Sequence, residues 1–251
     1  IKEKYMRYNE LTFQGRNAVL EAFRSGKTID KLFILDGCQD GPIKSIVREA
    51  KKTDAIINYV DKERLDRLAG TGHHQGVVAI GAAYEYAEVE DILAAAKEKG
   101  EDPFIFILDE IEDLHNLGSI IRTAYLAGAH GVIIPKRRAV GLTATVAKTS
   151  AGAINYTPVA KVTNISQTIE ELKKQGLWFV CADMGGETMY NLNLKGPIGL
   201  VIGNEGNGVS RLVKDKCDFI ASIPMKGDID SLNASVAAGV LAYEIVRQRL
   251  N

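Results

Sequence analysis

Cysteine is scarce in this chain of 251 residues, and the three that occur, Cys38, Cys181 and Cys217, lie far apart. They are odd in number and match no metal-ligand spacing, which argues against a disulfide framework and against a zinc site. We therefore expect reduced thiols, which are typical of a cytoplasmic protein, and no bound metal.

Long apolar runs are also lacking, since no part of the chain approaches the roughly 18 consecutive apolar residues of a membrane-spanning helix. The first residues, IKEKYMRYNE, have no apolar segment of the signal-peptide type. We expect a cytoplasmic protein without a membrane partner. Because the first residue is not Met, a trimmed terminus stays open.

The chain carries little net charge, formally -1, with 46% hydrophobic and 25% charged residues. This composition is typical of a globular domain rather than of a disordered or fibrous protein. Strong nucleic-acid binders are often basic overall, but a local basic patch serves equally well. A net charge near zero therefore argues against a nucleic-acid-binding protein without excluding one.

The pattern of predicted elements divides the chain into three segments. Residues 1–83 alternate short helices and strands, as in a small α/β domain, and residues 84–103 turn acidic and helical, as a linker would. Residues 104–251 repeat strand then helix, and several strands are apolar throughout, which is typical of a parallel sheet covered on both faces. We predict an open doubly wound α/β domain there, with its ligand site at the carboxyl ends of the strands.

A glycine-rich stretch at residues 200–210 reads LVIGNEGNGVS. Its glycine spacing is the reverse of the dinucleotide fingerprint, and no Gly-Lys-Ser/Thr follows as in a Walker loop. Two readings stay open from these residues alone. One is a plain strand-to-helix turn with Glu205 near the helix amino end, and the other is a loop whose glycines let backbone approach a ligand closely.

Two further loops carry polar residues after apolar strands. In LDEIEDLHNLGSIIRTA, Asn116 stands where a helix amino cap would, and Arg122 lies among apolar residues, where a buried guanidinium needs a partner. The simplest reading of Arg122 is a solvated helix face or an ion pair with Asp109 or Glu112. In SIPMKGDIDSLNAS, Ser231 and Asn233 introduce an alanine-rich helix, and capping by Ser231 is the simplest structural reading. The small residues of that helix permit close packing against this chain or a second copy.

The three loops together resemble the signature motifs of the SpoU-type (TrmH-type) RNA ribose 2'-O-methyltransferases of the SPOUT superfamily. They read N-x-G-x-x-x-R-T-A, I-G-x-E-G-x-G and I-P-M-x-G-x-x-x-S-L-N-x-S-V-A, and the similarity spans about Phe104 to Leu250. GRNAVLEA and HQGVVA in the first segment look like the RNA-binding domain of the ribosomal RNA branch, which is similar to a small ribosomal-protein fold. The family often has Asp-Pro where this chain has Asp113-Leu114, so the stiffness of that loop is open.

The resemblance implies a Rossmann-like α/β fold with a parallel sheet, a trefoil knot at its carboxyl end, and a homodimer whose subunits share the site region. General topology rules would not predict a knot. It also implies S-adenosylmethionine as cofactor, held in the knot largely by backbone groups. The residues carried over are Asn116, Arg122, Glu205, Ser231 and Asn233 as catalytic, and Gly203, Ile223, Met225 and Leu232 as cofactor-binding, with no metal.

The role of Arg122 is open to more than one reading. A guanidinium is almost never neutral, so it suits a phosphate or a developing alkoxide better than the task of a base. We expect Arg122 to clamp the phosphate of the target nucleotide. Asn116 and Glu205 would orient it and the ribose, while Ser231 and Asn233 would hold the nucleotide.

The function implied is 2'-O-ribose methylation of RNA, first of all of a guanosine in large-subunit ribosomal RNA. Transfer RNA is the nearest alternative, and an adenosine of ribosomal RNA, as in resistance-type enzymes, is another, because nothing in the motifs reads the base. A nucleotide-binding oxidoreductase is disfavoured by the reversed glycine spacing. A non-catalytic RNA-binding protein is disfavoured because every polar motif residue is present, and DNA is not an expected partner.

RNA recognition is assigned mainly to the first segment, which has a slight basic excess. Its candidates are Arg7, Arg16, Arg24, Lys27 and Lys31, with the loop His73-His74-Gln75, whose simplest reading is a solvent-exposed turn. Lys136-Arg137-Arg138 forms a second basic patch after a predicted strand, suited to phosphates.

Overall fold

The computed structural model describes residues 11–53, 55–70, 72–228 and 231–250, so Arg7 lies outside the described residues. The chain divides into two compact units. The first unit comprises the residues up to 85 together with 141–144, and the second comprises residues 86–140 and 145–251.

The first unit is built on a four-stranded sheet in the order β1-β4-β2-β3. Strand β2 pairs in parallel with β3 and antiparallel with β4, which pairs antiparallel with β1. Its elements are β1 (Leu11–Gln14), α1 (Arg16–Arg24), β2 (Ile29–Leu35), α2 (Gly41–Ala50), β3 (Ile56–Val60), α3 (Lys62–Ala69) and β4 (Val77–Gly81).

Alternation along β2 explains the two layers of this unit. Leu32 and Ile34 point to the face covered by α1 and α2, and Phe33 points to the face covered by α3. Side chains of successive strand residues lie on opposite faces, so one strand supplies both cores.

The loop of the two histidines is partly structural. His74 is buried, its Nδ1 accepts from the Gly76 N–H at 3.0 Å, and its Nε2 lies 3.0 Å from Asp66 Oδ1. With Nδ1 accepting, the Nε2–H donates to the carboxylate and ties the loop to α3. The reading of both histidines as a solvent-exposed turn is wrong for His74 and holds for His73, which is exposed.

The second unit contains a six-stranded, fully parallel sheet in the order β10-β8-β9-β5-β6-β7. This confirms the predicted α/β class. Its strands are β5 (Phe104–Asp109), β6 (Gly131–Pro135), β7 (Val159–Val162), β8 (Trp178–Thr188), β9 (Ile198–Gly203) and β10 (Phe219–Ser222). Its helices are α4 (Val89–Lys99), α5 (Leu114–Leu126), α6 (Ala144–Thr149), α7 (Ile165–Lys173), α8 (Arg211–Lys214) and α9 (Ala234–Arg249).

The segment 84–103, expected to be a linker, contributes to the core of this unit. Ile92 of α4 is fully buried and packs over Gly131, where a Cβ would approach it to 2.5 Å. The acidic and charged residues of the segment lie mainly on the solvent face of α4, which is why its composition resembles a linker.

The last turn of α9 is bound to the segment between β8 and β9. Gln248 accepts from Leu194 N at 2.8 Å and donates to Leu192 O at 3.0 Å, and Arg249 donates to Gly196 O at 2.6 Å. These contacts are compatible with a knotted carboxyl end. The trefoil knot itself stays a prediction.

Within the described ranges, no helix is long and apolar enough to cross a membrane. The same residues contain no group of three or more His, Cys, Asp or Glu side chains that could hold a metal ion.

Candidate functional site

Two adjacent strands of the second sheet end together at one edge. Strands β5 and β9 are parallel and in register, so Asp109 lies beside Gly203 where both strands end. Polar loops follow each strand at this edge, as expected for the ligand site of an open α/β sheet.

The glycine-rich loop after β9 closes on itself. Gly208 N donates to Asn204 O at 2.8 Å, and Asn204 Oδ1 accepts from the N–H of Gly206 at 2.6 Å and of Asn207 at 3.2 Å. The exposed Glu205 side chain therefore projects from a short turn with fixed backbone.

Two glycines of this loop are required by the loop itself. A Cβ on Gly203 would lie 2.1 Å from the carbonyl carbon of Gly208, and Gly208 has a φ of +66°. No other residue fits the first position, and few adopt the second backbone conformation. This requirement agrees with the reading of the loop as a tight turn, and the reading that its glycines admit a ligand close to the backbone stays a prediction.

The loop is anchored to the end of β5. Ser210 N donates to Asp109 Oδ2 at 2.7 Å, and Asn204 Nδ2 donates to Glu110 O at 3.3 Å. These bonds hold the turn that carries Glu205 against the neighbouring strand.

Three side chains from three different loops form one hydrogen-bonded cluster. Asn116 Nδ2 donates to Glu205 Oε1 at 2.7 Å, Asn233 Nδ2 donates to Asn116 Oδ1 at 2.9 Å, and Asn233 Nδ2 also donates to Glu205 Oε1. Among the described residues, Glu205 Oε2 has no hydrogen-bond partner. The cluster therefore holds one oxygen of the carboxylate and leaves the other available.

The helix caps next to this cluster differ from the expected ones. Asp113, not Asn116, caps α5 by accepting from Asn116 N at 2.8 Å. Asn233, not Ser231, caps α9, and its Oδ1 accepts from Ser235 N at 2.9 Å and Val236 N at 3.3 Å. Asn116 lies instead in the first turn of α5, where its side chain is 7% exposed and turned towards Glu205.

A cavity of about 290 Å³ lies on one side of Glu205. All four residues expected to bind the cofactor line it, together with Ser231: Gly203, Ile223, Met225 and Leu232. Met225 and Leu232 are 37% and 36% exposed, so the cavity offers apolar surface to a ligand. Burying such surface stabilises a bound apolar group.

A second hollow, of about 360 Å³, is also lined by Glu205. It is lined by Ile111, Glu112 and Asp113 of the loop after β5, and by Asn116. Asn204, Glu205 and Gly206 line both hollows, so the two hollows adjoin at the turn that carries Glu205.

Arg122 does not join the cluster. It follows Asn116 by six residues, which places it about 9 Å further along α5 and roughly 120° around the helix. It is exposed, and within the described part of the chain it makes no hydrogen bond or ion pair. Its exposure agrees with the reading of Arg122 as part of a solvated helix face and not with burial, because its apolar neighbours Ile121 and Ala124 face the core while Arg122 does not.

The basic patch after β6 lies near the same edge. Arg138 donates to Glu110 Oε1 at 2.8 Å, and both residues have a positive φ, of 54° and 59°. Two non-glycine residues in this region are uncommon, and such strain is concentrated at functional sites. Arg137 is exposed beside them.

Comparison with known proteins assigns the chain to a family. Residues 103–243 match the SpoU rRNA Methylase family, and residues 14–87 match the family of domains described as RNA 2'-O ribose methyltransferase substrate binding. YacO of Bacillus subtilis (strain 168), named as a TrmH family tRNA/rRNA methyltransferase, is 53% identical over 94% of both chains. The chain belongs to the SpoU rRNA methylase family.

Solved structures agree with this assignment in their fold. An AdoMet-bound rRNA methyltransferase from Sinorhizobium meliloti aligns with a TM-score of 0.59 at 23% identity, over 94% of this chain and 86% of that one. The TrmH/SpoU tRNA modifying enzyme of A. aeolicus aligns with a TM-score of 0.55 at 28% identity, over 60% of this chain and 77% of that one. The predicted family, fold class and enzyme class are confirmed: this member of the SpoU family is an RNA methyltransferase.

S-adenosylmethionine is the cofactor of the SpoU family, which confirms the cofactor expected from the motifs. The residues of the 290 Å³ cavity fit this group, because the exposed Met225 and Leu232 offer apolar contact for an adenine. The same cavity is also lined by a carboxylate, that of Asp183.

Sequence reasoning missed Asp183. It ends the apolar stretch of β8, a position that could have signalled it, and it lines the cavity beside Met184. A hydrogen bond from the Lys214 ammonium holds the pKa of the Asp183 carboxyl below its ordinary value, and the same pair raises the pKa of Lys214. The cavity of this SpoU enzyme therefore has an ionised wall as well as an apolar one.

Proposed function

We propose that this enzyme methylates the 2'-hydroxyl of a ribose in RNA, with the reaction taking place beside Glu205. The observation that carries the proposal is the position of the Asn116–Glu205–Asn233 cluster where two hollows adjoin, since Glu205 lines both. One hollow would hold the methyl donor, and the other would receive the acceptor nucleotide. A carboxylate that borders both hollows suits the transfer of a group from one to the other.

Residues of the first cavity would hold the methyl donor. Ile223, Met225 and Leu232 would contact its adenine, and Asp183 would face its hydroxyl or amino groups. When bound, S-adenosylmethionine supplies a methyl group made electrophilic by the sulfonium. The chain itself has to place the ribose hydroxyl in line with the bond that breaks, and such positioning accounts for much of the rate of many enzymes.

Glu205 is the residue proposed to contact that hydroxyl. Its Oε1 is held by two amide groups, so the carboxylate is fixed before RNA binds. Its free Oε2 would accept the hydroxyl hydrogen and turn an oxygen lone pair towards the methyl carbon. A general base must lie within hydrogen-bond reach of the proton that it accepts, and a fixed acceptor meets this requirement at little entropic cost.

Arg122 would act across a dimer interface. In its own chain it is exposed, six residues from Asn116 and turned to another side of α5. On the exposed surface of the packed helices α5 and α9 lie Tyr125, Leu126 and Tyr243, which are 44%, 60% and 51% exposed. Exposed apolar side chains of this size are typical of a subunit interface.

A homodimer built on this surface would bring Arg122 to the site of the other subunit. There it would clamp the phosphate of the target nucleotide and stabilise the developing alkoxide, as a permanently charged fork of donors can do. Ser231, which lines the donor cavity, and Asn233 would hold the nucleotide from the other side.

Mixing two inactive variants tests the shared site. Arg122→Ala keeps Glu205, and Glu205→Gln keeps Arg122, so a mixed dimer has one complete site only if Arg122 acts across the interface. Random exchange of subunits should then restore about a quarter of the wild-type activity, because half of the dimers are mixed and each has one intact site. No recovery, with exchange verified, would place Arg122 in its own subunit's site.

Ribosomal RNA is the proposed substrate, and a guanosine of the large-subunit RNA the proposed target. The support is the first unit, which matches a substrate-binding domain at residues 14–87. The TrmH/SpoU tRNA modifying enzyme of A. aeolicus aligns with only 60% of this chain, about the share that the second unit makes up. We accordingly take the first unit as the RNA substrate-binding domain, the second as the methyltransferase domain, and the cytoplasm as the site of action.

The substrate is tested by incubating the protein with methyl-labelled S-adenosylmethionine and unmodified ribosomal or transfer RNA. Alkali-resistant linkages mark 2'-O-methyl ribose. A single resistant linkage at a guanosine of large-subunit RNA would support the proposed reaction, substrate and target nucleotide. Methyl label in transfer RNA alone would show that transfer RNA, and not ribosomal RNA, is the substrate. Labelled RNA without any alkali-resistant linkage would overturn methyl transfer to the 2'-hydroxyl.

A further inference from the structure

The first unit contains a groove that none of the motifs predicted. It has a volume of about 420 Å³ and lies between α2 and the edge strand β3. The loop residues Cys38 and Gln39 line it at one place, and the rest of its lining is Ile43, Lys44, Val47, Arg48, Lys51 and Tyr59.

Helix α2 presents a basic stripe to this groove. Ile43, Ile46 and Ala50 are buried against the sheet, and the groove residues 44, 47, 48 and 51 have the i, i+3, i+4, i+7 spacing of one helix face. The rise of 1.5 Å per residue spreads the cations Lys44 and Lys51 over about 10 Å. That span allows contact with more than one phosphate of the same strand.

Tyr59 supplies an exposed aromatic ring at the other wall. It lies two residues after Ile57, which packs into the α1/α2 core, so both side chains are on the α2 face of the sheet. In the described part of the chain β3 pairs only with β2, and the Tyr59 side chain is 55% exposed. A large aromatic side chain left half in water beside a groove provides a flat surface for stacking.

The positive charge of the groove is largely uncompensated. Lys44 and Lys51 make no ion pair with any described residue, and Arg48 is 3.9 Å from Glu49. Glu49 is engaged at 2.9 Å by Lys52, and no carboxylate lines the groove. The stripe therefore carries three cations that are free to pair with a polyanion.

We propose that this groove binds an unpaired segment of the RNA substrate. Tyr59 would stack on a base, and Lys44, Arg48 and Lys51 would contact the adjoining phosphates. Basic grooves combined with an aromatic platform are the usual means of binding single-stranded nucleic acid, because every base has a stacking face. An apolar peptide would leave the three cations unused, and an acidic peptide without aromatic residues would leave the exposed ring of Tyr59 without a stacking partner. The inference rests on the proposed function, since it assumes an RNA substrate.

The test measures binding of a fluorescently labelled oligouridylate, and methylation of ribosomal RNA, with the full-length chain. The groove variant is Lys44→Gln, Arg48→Gln, Lys51→Gln. The matched control is Lys62→Gln, Arg64→Gln, Arg67→Gln, which removes the same charge from exposed positions of α3, on the other face of the same sheet. Tyr59→Ala and Tyr59→Phe separate stacking from charge, and thermal unfolding verifies that each variant is folded.

The groove variant should lower the slope of log affinity against log salt by about 2, since each single-strand phosphate contact contributes about 0.7. The control should change it by much less. Tyr59→Ala should weaken binding about fivefold or more, whereas Tyr59→Phe keeps the ring and should bind as the wild type does. In methylation assays KM for RNA should rise with kcat unchanged.

Equal effects of the groove and control variants, or wild-type binding by Tyr59→Ala, would overturn the inference and leave a protein ligand as the alternative for this groove. The proposed function would still stand after such a result, provided that the wild type methylates RNA under the same conditions. A wild-type chain that neither binds nor methylates RNA would overturn both proposals.

Discussion

Substitution of Glu205 by glutamine isolates the one atom on which the proposed chemistry depends. Oε1 accepts hydrogen bonds from Asn116 Nδ2 at 2.7 Å and from Asn233, and Oε2 has no partner among the described residues. Glutamine keeps one carbonyl oxygen for the two amides. It replaces the free acceptor by an NH₂ donor, which cannot accept a hydroxyl hydrogen.

The magnitude follows from that single lost acceptor. A hydrogen bond to a charged group contributes about 1.5–3 kcal/mol, and if it acts in the transition state its loss lowers kcat about 10- to 150-fold. Folding should be little affected, because the buried amide of Asn116 stays paired. Cofactor affinity should also be retained, since Gly203, Met225 and Leu232 line the donor cavity without depending on Oε2.

The assay is single-turnover methyl transfer to ribosomal RNA, combined with calorimetric titration of S-adenosylmethionine and thermal unfolding. Glu98→Gln, at an exposed position of α4, is the matched control and should behave as the wild type does. Glu205→Gln turnover within threefold of the wild type, with normal binding of cofactor and RNA, would refute the role of Oε2. Loss of cofactor binding would refute the claim that glutamine preserves the cluster.

Three further substitutions test other parts of the second unit. Gly203→Ala puts a Cβ 2.1 Å from the Gly208 carbonyl carbon, so calorimetric titration should show cofactor affinity reduced more than tenfold, whereas Gly41→Ala, which meets open space, should bind normally. Burial holds the pKa of His130 below the ordinary 6.5, so the unfolded chain takes up this proton first as pH falls. The stability that depends on a neutral His130 is therefore complete above pH 6.5 and is lost as the pH falls below it. The melting temperature of His130→Gln should decline less steeply towards acid pH than that of the wild type. An equally steep decline in both proteins would contradict this role of His130. Arg249 donates to three backbone oxygens at 3.2, 3.1 and 2.6 Å, so Arg249→Ala should lower the free energy of unfolding by about 3 kcal/mol in urea titrations, and a loss below about 1 would show that water replaces these bonds.

The parallel sheet and the position of the site were predictable from local patterns. Strands β5, β6 and β9 are apolar at nearly every position because both faces are covered, and this pattern is readable without a structure. Polar residues directly after those strands lie at one edge, as the topology of open α/β sheets requires. The motif residues Asn116, Glu205 and Asn233 could therefore be expected to lie close together.

Helix geometry explains why the predicted helix caps and the predicted surroundings of Arg122 differ from the observed ones. Several polar residues in a row precede both α5 and α9, and a sequence pattern does not show which of them begins the helix. Asp113 and Asn233 are the caps because their side chains reach backbone N–H groups of the first turn. For Arg122, motif spacing indicates membership of a site, whereas rotation along the helix decides which side it faces.

Long-range packing decided the roles of other residues. The burial of Ile92 over Gly131 and the bond between His74 and Asp66 depend on contacts with other elements. The segment 84–103 is charged and rich in alanine, so its composition resembles that of a linker. Only the packing of one face of α4 against the core shows that it is part of the second unit. Two adjacent histidines look alike in sequence, although one is exposed and the other is held in the fold.

The family, the α/β class and the three polar residues of the cluster are readable from the chain alone, because motif spacing and apolar patterning are local properties. How those three residues are joined depends on the tertiary structure. Asn116 and Glu205 are 89 positions apart, and Asn116 and Asn233 are 117 apart. Which oxygen of Glu205 is held, and which is free, depends on hydrogen bonds between loops that meet only when parallel strands end at the same edge of a sheet.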